Sequence, residues 1–147
     1  MAYICRHPQL DQFDLSSVGL IYTTGSGIHP TYERQIFDKM PRLLQIIINY
    51  GMSEIFSLTS TAKAPSEMAG LTREQIVARH VIGSSGRVLP GNRLKIVDVE
   101  TGEKLGPGQV GEICGKTQTI MKEYLNRPEA SVSHRLSHIG IIGGLGP

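Results

Sequence analysis

Five consecutive residues, Tyr50 to Glu54, combine side chains that could bind a nucleotide and a metal ion. The run supplies an aromatic ring, a flexible glycine, a hydroxyl and a carboxylate. A ring can stack on a flat base, a hydroxyl can donate a hydrogen bond to a phosphate, and a carboxylate suits a hard divalent cation. The apolar run Gln45 to Asn49 leads directly into these residues and predicts a buried strand. Taken alone, five such residues are also typical of a strand end followed by a polar turn.

Further motifs follow downstream in a fixed order. They are Gly83–Gly91, Lys95–Asp98, Pro107–Glu112 and Met121–Ala130. Taken with Tyr50 to Glu54, this ordered set resembles the AMP-forming acyl-CoA synthetase family, which includes the coumarate–CoA ligases and firefly luciferase. The resemblance extends from about Leu15 to Ala130, and the order of the set is more specific than any single motif.

The resemblance implies a role for each residue of the candidate site. Ser53 would contact the α-phosphate of ATP, and Glu54 would hold Mg²⁺. Tyr50 and Gly51 would lie against adenine, and the glycine loop Thr24–Ile28 would border both adenine and the acyl pocket. ATP, Mg²⁺ and CoA are therefore the cofactors implied for intact relatives. The residues assigned to the nucleotide are Gly25, Ser26, Gly27, Asn49, Tyr50, Gly51, Met52 and Ser53, with Glu54 as the metal ligand.

Simpler explanations exist for each of these residues taken singly. Gly25 and Gly27 are typical of a tight turn that ends a strand. An isolated Tyr50 would be a half-buried aromatic side chain at a strand end, and an isolated Glu54 would be a solvated carboxylate. His29, beside a helix start, is interpreted as a surface histidine. Only the ordered set of motifs favours the nucleotide site.

Length and composition narrow the class of protein. The chain has 147 residues, of which 39% are hydrophobic and 19% are charged, as expected for a folded globular protein. Its net charge of +2, with no basic run, does not favour nucleic acid as a partner. No apolar stretch reaches membrane-spanning length. The two cysteines, Cys5 and Cys114, show no metal-ligand spacing and are predicted to be free thiols.

Hydrophobic patterning predicts an α/β fold. Strand Leu15–Tyr22, a helix from Pro30 to Met40 and strand Leu43–Asn49 form a βαβ unit, which usually gives a parallel sheet. Alternation over Ile55–Ser60 predicts another strand, and Ala62–Gly70 is expected to be a loop. Thr72 and Gln75 then form a capping-box pattern that predicts the start of a short helix.

The spacing of apolar runs and turns in the sequence changes near Gly83. Beyond it, short strands at Arg87–Leu89, Arg93–Val99 and Gln109–Cys114 are separated by Pro-Gly and Thr-Gly turns. We therefore expect a partial α/β sheet subdomain over 1–83 and a small antiparallel, barrel-like β unit over 84–130. A degenerate tail over 131–147 is expected to be poorly ordered.

Comparison with the family pattern leads to the expectation of an inactive fragment. The phosphate loop and the lid that carries the catalytic lysine fall outside the matching region, and Ile141 stands where an aspartate would hold the ribose. The alternative is a non-catalytic binding module whose exposed apolar surface pairs with itself or with a full-length relative. A third hypothesis is an aberrant reading frame, motivated by the change after Ala130. An intracellular location is expected, cytoplasmic or peroxisomal.

Overall fold

A computed structural model describes residues 2–130 of the chain. The structure divides into two units. The first comprises Met1–Gly51 and Thr59–Arg87; the second contains Met52–Leu58 together with the chain from Val88 onward. The expected subdomain boundary near Gly83 stays a prediction. Within the part of the chain that the structure describes, no helix is long and apolar enough to cross a membrane.

The first unit is an α/β layer built on a mixed sheet. The sheet has the strand order β1-β2-β3-β4, in which β1 and β2 are parallel and β2 and β3 are antiparallel. The helices and strands up to the end of this sheet are α1 (Ala2–Cys5), β1 (Leu20–Thr24), α2 (Pro30–Lys39), β2 (Gln45–Tyr50), β3 (Thr59–Ser60), α3 (Pro65–Met68), α4 (Arg73–Ala78) and β4 (Arg87–Val88). The predicted α/β class and the parallel βαβ unit are confirmed.

The core of the first unit lies between α2 and β2. Its buried side chains are Ile36, Phe37, Met40, Leu43, Ile46 and Ile48, and partly buried apolar side chains pack around them. Helix α2 begins with Pro30, whose fixed φ suits the first turn, and its N-cap His29 accepts a hydrogen bond from the Thr31 amide. Ile36, Phe37 and Met40 follow the helical spacing predicted from the sequence.

A carboxylate begins the buried stripe of α2. The Glu33 side chain is fully buried, whereas the neighbouring Tyr32 is only partly buried. Oε2 of Glu33 is 2.8 Å from Nε2 of His80, and Oε1 accepts a hydrogen bond from the Gly83 amide at 3.1 Å. The His80 ring also packs edge-to-face on Phe37. These bonds offset the cost of burying a carboxylate and tie residues 80–83 to α2.

Three local predictions need correction. The expected loop Ala62–Gly70 contains the short helix α3, in which Pro65 occupies the first turn and Glu67 accepts a hydrogen bond from the Ala64 amide. The strand predicted over Ile55–Ser60 is reduced to Thr59–Ser60. The first strand begins at Leu20 rather than Leu15, because the chain turns at 15–18 through the Val18 amide. The capping box of Thr72 and Gln75 at the start of α4 is confirmed.

The second unit is built on an antiparallel ribbon. Strands β5 (Arg93–Val97) and β6 (Glu112–Lys116) pair antiparallel, as predicted for the small β unit. Its core contains Ile55, Leu58, Val97 and Ile113, all nearly or fully buried. A Cβ on Gly115 would lie 3.0 Å from Ile55 Cδ1, so glycine allows this close packing of the ribbon.

Both cysteines are free thiols, as the sequence predicts. Cys5 is partly buried in the first unit, and Cys114 is buried in the second. Burial raises the pKa of each thiol above its ordinary value.

Gly86 allows an unusually close approach of two backbone segments in the first unit. Its φ is +87°, and a Cβ at this position would lie 1.9 Å from the carbonyl oxygen of Ser60. The loop is held beside β3 by a further hydrogen bond of 2.6 Å from Thr59 Oγ1 to the Ser85 carbonyl. A side chain at position 86 would therefore displace the loop from the strand.

We expect Gly86→Ala to lower the free energy of unfolding by more than about 2 kcal/mol, because it combines left-handed strain with a backbone clash. Gly70→Ala is the matched control, since Gly70 has φ +74° and open space around it. It should cost about 1 kcal/mol from strain alone. Urea denaturation measures both variants. Equal losses would show that the close approach at Gly86 contributes nothing.

Candidate functional site

The parallel pairing of β1 and β2 determines where the candidate residues lie. In the register of the two strands, Thr24 stands opposite Asn49 at their carboxyl ends. The loop Gly25–Gly27 and the residues Tyr50–Gly51 therefore leave the sheet at the same edge. In open α/β sheets this edge is where ligands usually bind.

The structure brings most of the predicted nucleotide residues together around one cavity of about 150 Å³. Its lining residues are Gly25, Ser26, Gly27, Ile48, Asn49, Tyr50, Gly51 and Ser85. We call this the nucleotide cavity. Six of the eight predicted nucleotide-binding residues line it. Gly25 has φ +86°, a left-handed conformation that glycine adopts without strain.

Asn49, which lines the nucleotide cavity, has unused bonding capacity in its side-chain amide. Its Nδ2 donates a hydrogen bond of 2.7 Å to Tyr22 Oη, which fixes the amide, and its backbone carbonyl accepts one of 3.2 Å from Thr24 Oγ1. The side-chain Oδ1 is buried and has no hydrogen-bond partner among the described residues. An unsatisfied buried acceptor is costly, and a bound donor would relieve that cost.

Tyr50 presents a neutral, half-buried aromatic ring at the same cavity. Burial raises the pKa of its phenol, so the ring carries no charge at neutral pH. A neutral ring beside glycine backbone is a surface against which a flat base can lie.

The remaining predicted residues belong to the second unit. Met52, Ser53, Glu54 and Ile55 form a tight turn closed by two backbone hydrogen bonds, from the Met52 amide to the Ile55 carbonyl and from the Ile55 amide to the Met52 carbonyl. We call this the carboxylate turn. Ser53 and Glu54 occupy its tip, with Ser53 exposed and Glu54 partly buried. Adjacent residues at the tip of such a turn present their side chains on a fixed backbone.

The segment 120–124 holds the carboxylate turn in place. Ile120 forms a backbone bridge with Ile55, and the Met121 amide donates a hydrogen bond of 2.8 Å to the Glu54 carbonyl. The Tyr124 hydroxyl donates a hydrogen bond to Oε1 of the Glu54 carboxylate. This bond is the first cause of a raised pKa of the Tyr124 phenol. Tyr124 therefore orients the carboxylate through one of its two oxygens.

Sequence reasoning missed two residues that the structure adds. Tyr124 stood within a recognised motif, but nothing in its spacing indicated contact with Glu54, seventy positions away. Ser85 also stood within a motif, and the bond from Thr59 to its carbonyl holds the segment that brings it to the nucleotide cavity. The interpretation of Ile141 as a lost ribose contact lies outside the described residues.

Mg²⁺ is the ion implied for Glu54, and the chemistry of the turn fits it. A carboxylate oxygen is the ligand that Mg²⁺ prefers, and this ion usually takes one or two protein carboxylates and completes its shell with phosphates and water. In residues 2–130 no group of three histidine, cysteine or acidic side chains could form a protein-only metal centre. A single carboxylate at the turn is consistent with an ion shared with phosphate.

Comparison with known proteins identifies the class. Residues 1–125 match the family model described as AMP-binding enzyme, so the chain belongs to the AMP-binding enzyme family. It is 36% identical over 128 residues to 4-coumarate–CoA ligase 3 of Arabidopsis thaliana, covering 87% of this chain and 21% of that protein. It is 32% identical over 126 residues to the probable 4-coumarate–CoA ligase 1 of Dictyostelium discoideum, covering 86% and 20%. The chain thus spans about a fifth of the length of these relatives.

Solved structures show the same fold. The anthranilate CoA ligase AuaEII, in complex with anthranoyl-AMP, matches with a TM-score of 0.73 at 22% identity, over 93% of this chain and 23% of that one. The luciferase-like enzyme of the nonluminescent mealworm Zophobas morio matches with a TM-score of 0.62 at 31% identity, over 82% and 27%. The family recognised from the ordered motifs is therefore confirmed, and with it the assignment of the chain as part of an AMP-binding domain.

We expect Glu54→Gln to move the titration of Tyr124 to lower pH. The bond to the carboxylate keeps the phenol protonated, so its stabilising effect is complete below the ordinary tyrosine pKa and disappears as the pH rises through the raised one. Absorbance of ionised tyrosine, recorded during an alkaline titration of the five-tyrosine chain, measures the shift.

Glu103→Gln is the matched control, because it removes the same charge from an exposed position of the second unit. It should leave the titration curve unchanged. If Glu54→Gln also leaves the curve unchanged, Tyr124 does not bind this carboxylate in solution.

Proposed function

We propose that the chain supplies part of an adenylate-forming site of the acid–CoA ligase type. In this proposal the nucleotide cavity of the first unit binds adenine. Ser53 binds the α-phosphate, and Glu54 is a ligand of Mg²⁺. The observation that carries the proposal is that Gly25–Gly27 and Asn49–Gly51, separate in sequence, line one cavity with a buried, unsatisfied acceptor.

The reaction proposed for an intact protein of this kind is the adenylation of a carboxylic acid. A carboxylate oxygen attacks the α-phosphorus of ATP, the bond from that phosphorus to the bridging oxygen breaks, and pyrophosphate leaves. The acyl group is then transferred from AMP to the thiol of CoA. Bound Mg²⁺ would offset the charge of the phosphates, while the residues of this chain would fix the base and the α-phosphate.

Asn49 supports adenine over hypoxanthine. The exocyclic amine of adenine is a hydrogen-bond donor, and Oδ1 of Asn49 is an acceptor that lacks a partner among residues 2–130. Hypoxanthine carries a carbonyl oxygen in place of that amine, so its nucleotide would set one acceptor against another. With Nδ2 donating to Tyr22 Oη, Oδ1 is the amide atom left to accept a bond from a ligand.

We expect AMP to bind about tenfold more tightly than IMP, because IMP lacks the amine that would donate to Oδ1 of Asn49. Asn49→Ala removes the acceptor of that bond and should abolish the preference. Isothermal titration or saturation-transfer NMR measures both ligands. Gln9→Ala is the control, since Gln9 is an exposed amide whose side chain caps nothing. Equal affinity for the two nucleotides would contradict the proposed role of Asn49.

The same titration separates the two candidate functions. A non-catalytic interaction module is favoured by the exposed apolar side chains of the edge strand β1, Leu20 and Tyr22, which are 52% and 56% exposed. Such a surface could pair with a second copy or with a full-length relative. Failure to bind nucleotide, together with stable association, would favour the module over the adenylate site.

We also expect the chain alone to be catalytically inactive. It covers about a fifth of its relatives, and adenylation depends on several charged groups that act together, each worth about 10²–10³ in rate. Exchange of radiolabelled pyrophosphate into ATP, with Mg²⁺ and a panel of aromatic and fatty acids, should equal the rate without protein. Exchange above that rate, abolished by Glu54→Gln, would show an active enzyme.

A further inference from the structure

A second cavity of the first unit shares no residue with the nucleotide cavity. It measures about 180 Å³ and is lined by Ser60, Thr61, Ala62, Lys63, His80, Val81, Ser84, Gly86 and Arg87. We call it the basic cleft. Its lining includes lysine, arginine and histidine side chains but no carboxylate. Since a water molecule in the liquid takes about 30 Å³, the cleft can hold an oxyanion of several heavy atoms.

Within residues 2–130, the lysine and the arginine of the basic cleft have no counter-ion in contact. Lys63 is half-buried, and neither its ammonium nor the Arg87 guanidinium forms a hydrogen bond or an ion pair within the described residues. Burial lowers the pKa of Lys63, and the positive charges of Arg79 and Arg87 lower it further, against an opposing effect of Glu67. Burial therefore makes the charged form of Lys63 costly, and an anion bound beside it would offset that cost.

Two serine hydroxyls add neutral donors to these charges. Ser60 Oγ accepts a hydrogen bond of 3.1 Å from the Ala62 amide, and Ser84 Oγ accepts one of 3.0 Å from the Gly86 amide. Each amide fixes its hydroxyl oxygen and leaves the hydroxyl proton available for donation. Because one hydroxyl group can donate only one proton, each serine offers one bond to a ligand.

The donors lie on backbone that the fold holds rigidly. Gly86 approaches the Ser60 carbonyl so closely that no side chain fits between them, and the Gly86 amide is bonded to Ser84 Oγ. The Gly83 amide is bonded to the buried Glu33, and His80 is bonded to the same carboxylate. Lys63, Arg87, Ser60 and Ser84 thus line one cleft, in which backbone amides hold the two serine oxygens in place.

We propose that the basic cleft binds a phosphate group, either inorganic phosphate or the phosphate of a small monoester. Ammonium, guanidinium and hydroxyl groups are all donors, and a tetrahedral dianion has enough acceptor oxygens to engage all of them. A solvated basic surface is the simpler alternative. It does not account for the burial of Lys63 or for the fixed serine oxygens on the same cleft.

Isothermal titration of the whole chain with inorganic phosphate and with phenyl phosphate, at constant ionic strength, tests the proposal. We expect saturable binding that Lys63→Met and Arg87→Met each weaken about tenfold or more, because a charge-assisted bond is lost. Lys104→Met makes the same charge change at an exposed position of the second unit and should leave the affinity unchanged.

Three outcomes would overturn the proposal. If Lys104→Met weakens phosphate binding as much as Lys63→Met and Arg87→Met do, the net charge of the chain alone attracts phosphate. Acetate or benzoate binding as tightly as phosphate would show a carboxylate site. Loss of phosphate binding in Asn49→Ala would place the anion in the nucleotide cavity. Because the basic cleft does not include Asn49, failure of the nucleotide proposal leaves the phosphate proposal standing, and the reverse also holds.

A second measurement uses the unaltered protein and does not depend on a variant that folds. The lowered pKa of Lys63 leaves more of its amine unprotonated near pH 8 than an ordinary lysine has. A bound dianion would raise that pKa and cover the amine, so acetylation by acetic anhydride should slow severalfold at Lys63 and not at Lys104. Peptide mass spectrometry measures both rates. If saturating phosphate leaves the ratio of the acetylation rates at Lys63 and Lys104 unchanged, phosphate does not bind at the basic cleft.

Discussion

The parallel register of β1 and β2 is the constraint on which the nucleotide cavity depends. Because Thr24 pairs with Asn49, both strands end at the same level, and the glycine loop and the Tyr50–Gly51 segment emerge together. A shift of one residue in this register would turn the apolar face of β2 away from α2 and expose Ile46 and Ile48. Core packing and ligand geometry are thus set by the same pairing, so neither can change alone.

A buried carboxylate on the same face of α2 holds another part of the chain in place. Glu33 takes a core position in the helix and uses both oxygens to hold His80 and the Gly83 amide. The segment that follows contributes Ser85 to the nucleotide cavity and Ser84 to the basic cleft. Helix α2 therefore packs on strand β2 through apolar contacts and holds residues 80–83 through hydrogen bonds.

The sequence predicts those features whose causes are local. Pro30 in the first turn of α2 and the Thr72–Gln75 box at α4 are signals within a few residues, and the structure contains both. The burial of Glu33 could not be predicted, because a glutamate in a helix is ordinarily solvated and its partner His80 lies far along the chain. The bond from Tyr124 to Glu54 escaped prediction for the same reason, since neither residue carries a local signal of the other.

Each unit contains one free thiol, whose rate of chemical modification can be followed separately. Cys5 belongs to the first unit and Cys114 to the second, and burial raises the pKa of both thiols, so little thiolate is present near neutral pH. Cys114 is only 8% exposed, so opening of the ribbon β5–β6 would speed its alkylation. The rate of modification at these two sulfur atoms would reveal whether the two halves of this family fragment loosen together or one before the other.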